Sequence, residues 1–369
     1  MNRAAIAICA TIATLYSLAA HAEPYFAQRE GYKCGKCHVN RTGGGKRTDF
    51  GHQYSRTVLR LLARSTPTDV KGSTTGVRTS MFSPRLNDYI SLGANLRLNH
   101  ETTFSDDTSN TFGNSEANIY LGVDLGPRVL LYTDLSVADG SVGTRETFAL
   151  LSLPRGFYLK GGLILPPFGL RIWGEREYVR SITGYNYATP DLGLEFGVEG
   201  EMFSAFLAVS NGQGGGQDSD NYKKISLLTE FSVKAFRVGI SGSYNRAGET
   251  TRVLESLYVG LSLGRLTLLA EGVLLSTIKH DVGKTVHSLI AYGEANLLLY
   301  RGLNLKVAYG YHDQDLDVGE DHRSTIRGGL ECFVLPMVAT TIFYTYRQSV
   351  PQDQVGNADS LIAELHVYF

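Results

Sequence analysis

The chain has 369 residues, 43% of them hydrophobic and 19% charged, with a formal net charge of −1. A charge balance this close to neutral gives no electrostatic reason to expect a nucleic-acid partner. After residue 22 there is no apolar run of about 18 residues, so the sequence predicts no transmembrane helix in the rest of the chain.

The first 22 residues predict a signal peptide. Arg3 supplies the positive start, residues 4–18 are apolar, and "AHA" at 20–22 places small residues around a cleavage point. A retained N-terminal anchor is the alternative. Cleavage would leave an exported chain that starts near Glu23, with its remaining cysteines in an oxidising compartment.

Residues 30–40, "EGYKCGKCHVN", contain a Cys-x-x-Cys-His motif. Two thiols at this spacing can add across the vinyl groups of haem, and the adjacent histidine can ligate the iron. The sequence therefore predicts one covalent haem c, attached at Cys34 and Cys37 with His38 as proximal ligand. A redox dithiol would follow a strand in a thioredoxin-like pattern, which is not visible here. A zinc site would need two further ligands, and only His52 is close.

The second axial ligand of the iron stays open. No methionine follows the motif before Met81, so His52 is the nearest candidate, and a solvated helix residue is the equal alternative. A helix is predicted over residues 48–64, with Thr48 or Asp49 as its cap. Its apolar face would carry Phe50, Tyr54, Val58, Leu61 and Leu62. The "GGGK" at 43–46 predicts a flexible loop, and residues 65–76 predict a polar linker.

From about residue 86 the sequence alternates with period two. In "ISLGANLRL" (90–98) the leucines share one face, and Asn95 and Arg97 share the other. Segments of about ten alternating residues between turns are typical of a transmembrane β-barrel, although a soluble β-sandwich also alternates. We predict sixteen strands, an even number as single-chain bacterial barrels require. They are 88–102, 115–125, 128–138, 144–153, 157–165, 192–199, 201–210, 222–233, 235–246, 251–263, 265–277, 285–300, 302–312, 321–335, 337–349 and 359–369.

The connections between these strands are predicted to alternate strictly between tight turns and longer loops. Short periplasmic turns and long external loops give this pattern, which would put both termini and the haem segment on the periplasmic side. The last strand ends on Phe369, and an aromatic end resembles the assembly signal of outer-membrane barrels. In this register Cys332 faces lipid. His366 faces the lumen near the haem segment, as a remote candidate for an axial ligand or a neighbour of one.

The longest connection, residues 166–191, reads "PPFGLRIWGEREYVRSITGYNYATPD". By analogy with the third external loop of general porins, we predict that it folds inward and narrows the pore; a solvated loop is the alternative. It carries charges of both signs and an aromatic residue that would suit a constriction or a small-ligand site: Arg171, Trp173, Glu175, Arg176, Glu177 and Arg180.

The haem segment resembles that of the fused monohaem cytochrome–porins of iron-oxidising bacteria. The resemblance rests on "PYFAQREGYKCGKCH" (24–38), "DFG" (49–51) and "LPPFGLR" (165–171). It is specific over the haem segment and architectural over the barrel. The resemblance implies electron transfer from extracellular Fe(II), through the haem, to a periplasmic c-type cytochrome. The chain departs from that family in its short length, modest external loops and lack of a methionine ligand.

The sequence thus predicts an all-β protein: a signal peptide (1–22), a small helical haem segment with linker that plugs the periplasmic side (23–80), and an outer-membrane barrel (81–369). The predicted function is relay of single electrons across the outer membrane, with Fe(II) oxidase activity left open. A diffusion porin with an accessory haem segment, or outward electron transfer to minerals or electrodes, are the alternatives. Lipid is the predicted surroundings of the barrel, and a homo-oligomer is left open.

Overall fold

The computed structural model describes residues 24–62, 84–105, 108–138, 142–172, 174, 176–215, 218, 220–350, 353 and 356–369. The predicted signal peptide, the predicted linker at 65–76, Trp173 and Glu175 lie outside the described residues.

Sixteen antiparallel strands close into one barrel, which confirms the predicted fold. Each strand pairs with its neighbours in the chain, and the first strand pairs with the last through residues 95–104 and 359–368. Closure of the sheet rules out the β-sandwich alternative. The strands are β1 Ile90–Phe104, β2 Ser109–Asp124, β3 Val129–Ser136, β4 Gly143–Ser152, β5 Phe157–Ile164, β6 Asp191–Glu199, β7 Phe203–Ser210, β8 Lys224–Val233, β9 Phe236–Ala247, β10 Thr250–Leu263, β11 Leu266–Lys279, β12 Lys284–Tyr300, β13 Leu303–Asp313, β14 Arg323–Leu335, β15 Val338–Gln348 and β16 Asp359–Tyr368.

The strand alternation sorts polar side chains into the lumen and apolar ones onto the outer surface. In β1, Asn95 and Arg97 are buried inside, whereas Leu96 and Leu98 are exposed outside. Exposed leucine, valine, isoleucine and phenylalanine side chains recur around the whole barrel. A soluble protein rarely exposes so much contiguous apolar surface, and a lipid hydrocarbon layer would cover it.

All connections at one end of the barrel are tight, but the strict alternation predicted for the other end is wrong. At the tight end, which we call the turn mouth, the connections are 125–128, 153–156, 200–202, 234–235, 264–265, 301–302 and 336–337. At the opposite end, the loop mouth, residues 105–108, 248–249 and 280–283 are tight as well. The reason is visible between β1 and β2, where the ladder continues to Thr103 and Ser109 through residues expected to form a loop.

Among the described residues the α-helices are short and lie in the N-terminal segment and one loop, and a 3-10 turn, Pro154–Gly156, joins β4 to β5. The α-helices are α1 Pro24–Glu30, α2 Cys34–Cys37, α3 Asp49–Tyr54 and α4 Tyr178–Ser181, and a π-helical turn, Ser55–Leu59, continues α3. Thr48 caps α3 as predicted, since its side chain accepts a hydrogen bond of 3.1 Å from the Gly51 N–H. The helix stops at Leu59, earlier than predicted, because the chain then pairs with β14 through a 2.7 Å bond from Leu61 N–H to the Phe333 carbonyl.

The predicted apolar face of this helix is only partly buried. Leu61 is buried, whereas Val58 and Leu62 are exposed. None of the helices in the described ranges is both long and apolar enough to cross a bilayer.

Candidate functional site

Residues 24–62, here called the plug, lie inside the barrel at the turn mouth. Gln28 donates a 2.7 Å hydrogen bond to the carbonyl of Ala235 in the β8–β9 turn. Arg29 donates to Asn304 of β13 at 3.2 Å, and Lys33 lies 3.5 Å from the carboxylate of Glu230 in β8. The plug is therefore fixed to several strands around one mouth of the barrel.

A glycine turn joins the Cys-x-x-Cys-His motif to α3. Gly43, Gly44 and Gly45 all have positive φ (100°, 82° and 64°), which glycine adopts without steric cost. A side chain at Gly44 would overlap the hydroxyl of Tyr187. The predicted flexible loop is thus a closely packed turn, held on one side by Asn40, whose amide donates to the buried Glu146 carboxylate at 2.9 Å.

A cavity separates the plug from the barrel wall and encloses about 1190 Å³ of space, counting its open mouth. Cys34, Cys37 and His38 all line it. The rest of the lining is largely apolar and aromatic: Pro24, Phe26, Ala27, Tyr32, Tyr54, Leu59, Leu170, Tyr187, Phe206, Leu228, Tyr258, Phe333 and Tyr368. Charged side chains interrupt it at Lys33, Arg41, Arg47, Arg171, Glu199, Glu230 and Arg237. Such a lining suits a large, mostly apolar group that carries anionic substituents.

The imidazole of His38 is in the form that can ligate a metal. Burial lowers its pKa to about 3, Arg47 and Arg171 add to that shift, and the backbone of Gly45 and Gly44 opposes it. The ring is therefore neutral at physiological pH, as a ligand must be. Its Nδ1 atom is buried without a hydrogen-bond partner among the described residues. The wall of this cavity thus holds a partly buried, neutral imidazole whose Nδ1 atom is buried.

Both cysteine thiols line the cavity, and both have raised pKa values. Burial raises the pKa of Cys34, and burial together with Cys34 raises the pKa of Cys37 to about 11. A catalytic redox dithiol needs the opposite, a thiolate stabilised at neutral pH. The redox-dithiol interpretation of the motif is therefore disfavoured, whereas thiols that face a large apolar cavity suit attachment of a haem.

The long loop, residues 165–190, folds into the lumen and roofs the cavity on the side of the loop mouth. Its buried Arg180 pairs with Glu271 of β11 at 2.7 Å. The same carboxylate accepts a 3.1 Å hydrogen bond from Leu170 N–H. Phe168 stacks on Tyr185 with ring centroids 4.5 Å apart. This inward fold agrees with the prediction made by analogy with porins, and it excludes a solvated loop.

Most charged side chains of this loop form ion pairs with the barrel wall. Glu177 pairs with Arg327 of β14 at 2.8 Å, and Arg176 pairs with Glu101 of β1 at 2.8 Å. Arg171 is the described charged residue of the loop that lines the cavity. The predicted mixed-charge constriction is therefore a set of ion pairs between loop and wall.

Two of the predicted axial candidates do not line the cavity. His52 is a buried residue of α3 itself, and burial lowers its pKa to about 4, helped by Arg56 and Arg47. His366 is 1% exposed and faces the lumen as predicted, where its Nε2 contacts Asn95. Its ring lies 4.5 Å from that of Tyr368, which does line the cavity. His366 is therefore one side chain removed from the cavity wall.

Cys332 does not face lipid as predicted. It is buried in a cluster with Leu61 and Leu303, because the end of the plug folds back over β13 and β14. Its position under Leu61 depends on a chain path that strand periodicity does not reveal.

Sequence reasoning missed the residues that complete the cavity from the barrel wall. Tyr258, Phe206 and Arg237 lie in strands with ordinary alternation. The only sequence signal for them is that they occupy lumen-facing positions. Tyr187 and Arg47 carried no motif either. Their role follows from the position of the plug, which strand pairing does not specify.

Comparisons with known proteins support the fold. No family model and no curated protein matches the sequence. Among solved structures, an anion-selective porin from Comamonas acidovorans matches with a TM-score of 0.61 and 13% identity, over 76% of this chain and 99% of that one. OmpT of Vibrio cholerae with loop L8 deleted matches at 0.60 and 12%, over 76% and 99%. The outer membrane channel DcaP of Acinetobacter baumannii matches at 0.55 and 7%, over 76% and 97%. At these identities the likeness shows a porin-like barrel and nothing finer.

Proposed function

We propose that this chain is an outer-membrane barrel that holds one covalent haem c in its lumen and relays single electrons across the membrane. The observation that supports this most directly is the convergence of Cys34, Cys37 and His38 on one large cavity inside the barrel. A signature for haem attachment placed on a solvent-facing tail would not support it. Here all three side chains line one cavity whose wall is largely apolar and aromatic.

Each part of the site has a distinct task in this proposal. Cys34 and Cys37 bind the haem, and the neutral imidazole of His38 ligates the iron. The haem, when bound, supplies one-electron exchange between ferrous and ferric iron. The plug and the long loop exclude water from either side, and burial of this kind helps to set the redox potential.

The orientation of the barrel determines which partner would meet which mouth. Tight turns of bacterial outer-membrane barrels face the periplasm, which would place the plug and both termini there. A periplasmic c-type cytochrome would then exchange electrons at the turn mouth. The apolar band of such barrels is about 25 Å tall, so a donor has to approach through the loop mouth. Extracellular Fe(II) is the donor implied by the resemblance of residues 24–38 to cytochrome–porins.

The proposal is tested by maturing the chain in a host with haem-attachment machinery and measuring covalent haem. We expect one haem per chain in the native protein and none in a Cys34→Ser/Cys37→Ser variant. Cys332→Ser is the matched control, since Cys332 lies outside the cavity. Absence of covalent haem from the native protein contradicts the proposal.

The electron donor is tested in liposomes that hold the haem-loaded protein. External Fe(II) should reduce the haem, as followed by its absorption band, and entrapped oxidised cytochrome c should then be reduced. Reduction by dithionite but not by Fe(II) would exclude iron as the donor and leave the relay itself in place.

A second candidate function is diffusion of small solutes, with the haem segment as an accessory. The match to porin folds favours this alternative. The filling of the lumen by the plug and the long loop counts against it. Conductance in a planar bilayer separates the two: the relay predicts a nearly closed channel in the haem-loaded protein, and the porin predicts a wide and steady one.

A further inference from the structure

Five cationic side chains line the cavity, and three of them already lie against carboxylates. Arg41 lies 3.7 Å from the carboxylate of Glu199. Lys33 and Arg237 share Glu230, each at 3.5 Å. These three cations therefore belong to ion pairs between the plug and the wall or within the wall.

The other two cations, Arg47 and Arg171, pair with no carboxylate among the described residues. The Arg47 guanidinium lies 3.9 Å from the ring centroid of Tyr368, so it meets a π face. The Arg171 guanidinium donates to the carbonyls of Leu165 and Pro166 at 3.4 and 3.3 Å. A partly buried cation that lacks an anion is costly, and it is the arrangement expected where a bound anion completes the site.

Both arginines sit beside the Cys-x-x-Cys-His motif. Arg47 forms an antiparallel bridge with His38, and directly opposed residues in such a bridge are close neighbours. A Cβ placed at Gly43 would lie 4.0 Å from the Arg171 Cβ and 3.5 Å from the Cys34 Cβ. The plug supplies one arginine and the long loop supplies the other, so the two cations belong to different elements.

We propose that Arg47 and Arg171 pair with the two propionate carboxylates of the haem, an inference that rests on the proposed function. A haem carries two carboxylates, and a planar guanidinium binds a carboxylate through two parallel hydrogen bonds. Neutralising these anions disfavours the ferric state, because ferric haem carries one more positive charge than ferrous haem. The two arginines are therefore positioning residues that also raise the midpoint potential of the haem.

The test is the midpoint potential of the haem in purified, haem-loaded protein. We expect Arg47→Gln and Arg171→Gln each to shift it downward, and Arg47→Lys to keep it near the native value. Arg246→Gln is the matched control, since Arg246 also lies over a tyrosine ring (Tyr222, 4.3 Å) but does not line the cavity. A loss of plug packing alone would not be repaired by lysine, which keeps the charge but not the planar group.

Three results overturn the inference in distinguishable ways. If covalent haem is present and both glutamine variants keep the potential of Arg246→Gln, the propionate pairing is wrong and the proposed function stands. If Arg47→Lys lowers the potential as much as Arg47→Gln, the charge of Arg47 is not the cause, and the inference that this charge raises the potential is wrong. If the native chain carries no covalent haem, the proposed function and this inference fail together. Should Arg47→Gln fail to assemble, Arg171→Gln tests the same claim from the loop.

Discussion

At the scale of single residues, the site depends on small groups that no larger side chain could replace. The glycine turn is the clearest case, because a Cβ at Gly44 would overlap the Tyr187 hydroxyl. Gly43 and Gly44 both have positive φ, and at Gly44 sterics and backbone conformation restrict the same position. This turn, together with α2 before it and α3 after it, holds the motif at the cavity.

We predict that Gly44→Ala weakens packing of the plug by more than the cost of placing alanine in a left-handed backbone conformation. The left-handed conformation costs about 1–2 kcal/mol for alanine, and the overlap with Tyr187 adds about 1–3 kcal/mol. Gly248→Ala is the control, since Gly248 has a φ of 55° and open space around its Cβ position. Protease resistance of residues 24–62 in the assembled barrel measures the difference. Equal resistance in the two variants would show that Tyr187 does not constrain the turn.

A second prediction concerns acid. In the packed plug the pKa of His52 is lowered to about 4 from an ordinary value of 6.5, first by burial and then by Arg56, Arg47 and Lys46. Between pH 4 and pH 6.5 the released plug therefore binds a proton at His52, whereas the packed plug does not. Packing of the plug is thus strongest above pH 6.5 and weakens as the pH falls toward 4. We expect proteolysis of the haem-free plug to accelerate at pH 5 relative to pH 7.

The matched variant for this prediction is His52→Gln, which removes the titration. It should show a smaller acceleration, with the remainder due to His38. An unchanged acceleration would mean that His52 is not responsible for the acid sensitivity.

At the scale of elements, the plug and the long loop meet the barrel through different kinds of contact. The plug uses many hydrogen bonds and ion pairs at the rim, such as Arg29 to Asn304. The loop relies on one fully buried pair, Arg180 with Glu271, and on stacked aromatic rings. A buried pair is weak support when intact but expensive to break, so the roof should respond steeply to a single substitution.

We predict that Arg180→Ala opens the roof of the cavity. Removing one partner of a buried pair typically costs about 3–5 kcal/mol, because it leaves an uncompensated charge. Arg176→Ala should have little effect, because the Arg176 side chain is exposed in its pair with Glu101. Exposed ion pairs contribute about 0–1 kcal/mol to stability.

The measurement for this prediction is the rate at which a membrane-impermeant maleimide, added on the side of the loop mouth, alkylates Cys34 in haem-free protein. We expect a clear acceleration in Arg180→Ala and none in Arg176→Ala. Equal rates in the two variants would show that the buried pair does not hold the roof.

At the scale of the whole molecule, strand pairing and the inward fold of the long loop were predictable, and the path of the plug inside the barrel was not. Period-two alternation and tight turns locate all sixteen strands, because neighbours in sequence are neighbours in the barrel. The motif itself identifies Cys34, Cys37 and His38. The path of the plug depends on contacts between distant residues, such as Gln28 with Ala235, for which local sequence carries no period. For the same reason, the burial of Cys332 and the place of His52 were not foreseen correctly.

We predict that a chain lacking residues 24–62 assembles as a barrel with a much wider channel. The strands close through their own ladder, including β1 with β16, without help from the plug. Single-channel conductance in a planar bilayer should therefore rise well above that of the full chain. Similar conductance in both would show that the long loop, rather than the plug, closes the pore.

The wall of the cavity has a consequence for the order of events during biogenesis. Phe26 comes from the first described helix, Leu170 from the middle of the chain, and Tyr368 from β16, the strand that closes the cylinder. The cavity is therefore complete only when β16, the last strand, has joined the barrel. The enzyme that attaches haem needs an accessible peptide, so it would have to act before residues 34–38 are enclosed by the barrel. The haem would then be attached before β16 pairs with β1 and closes the barrel.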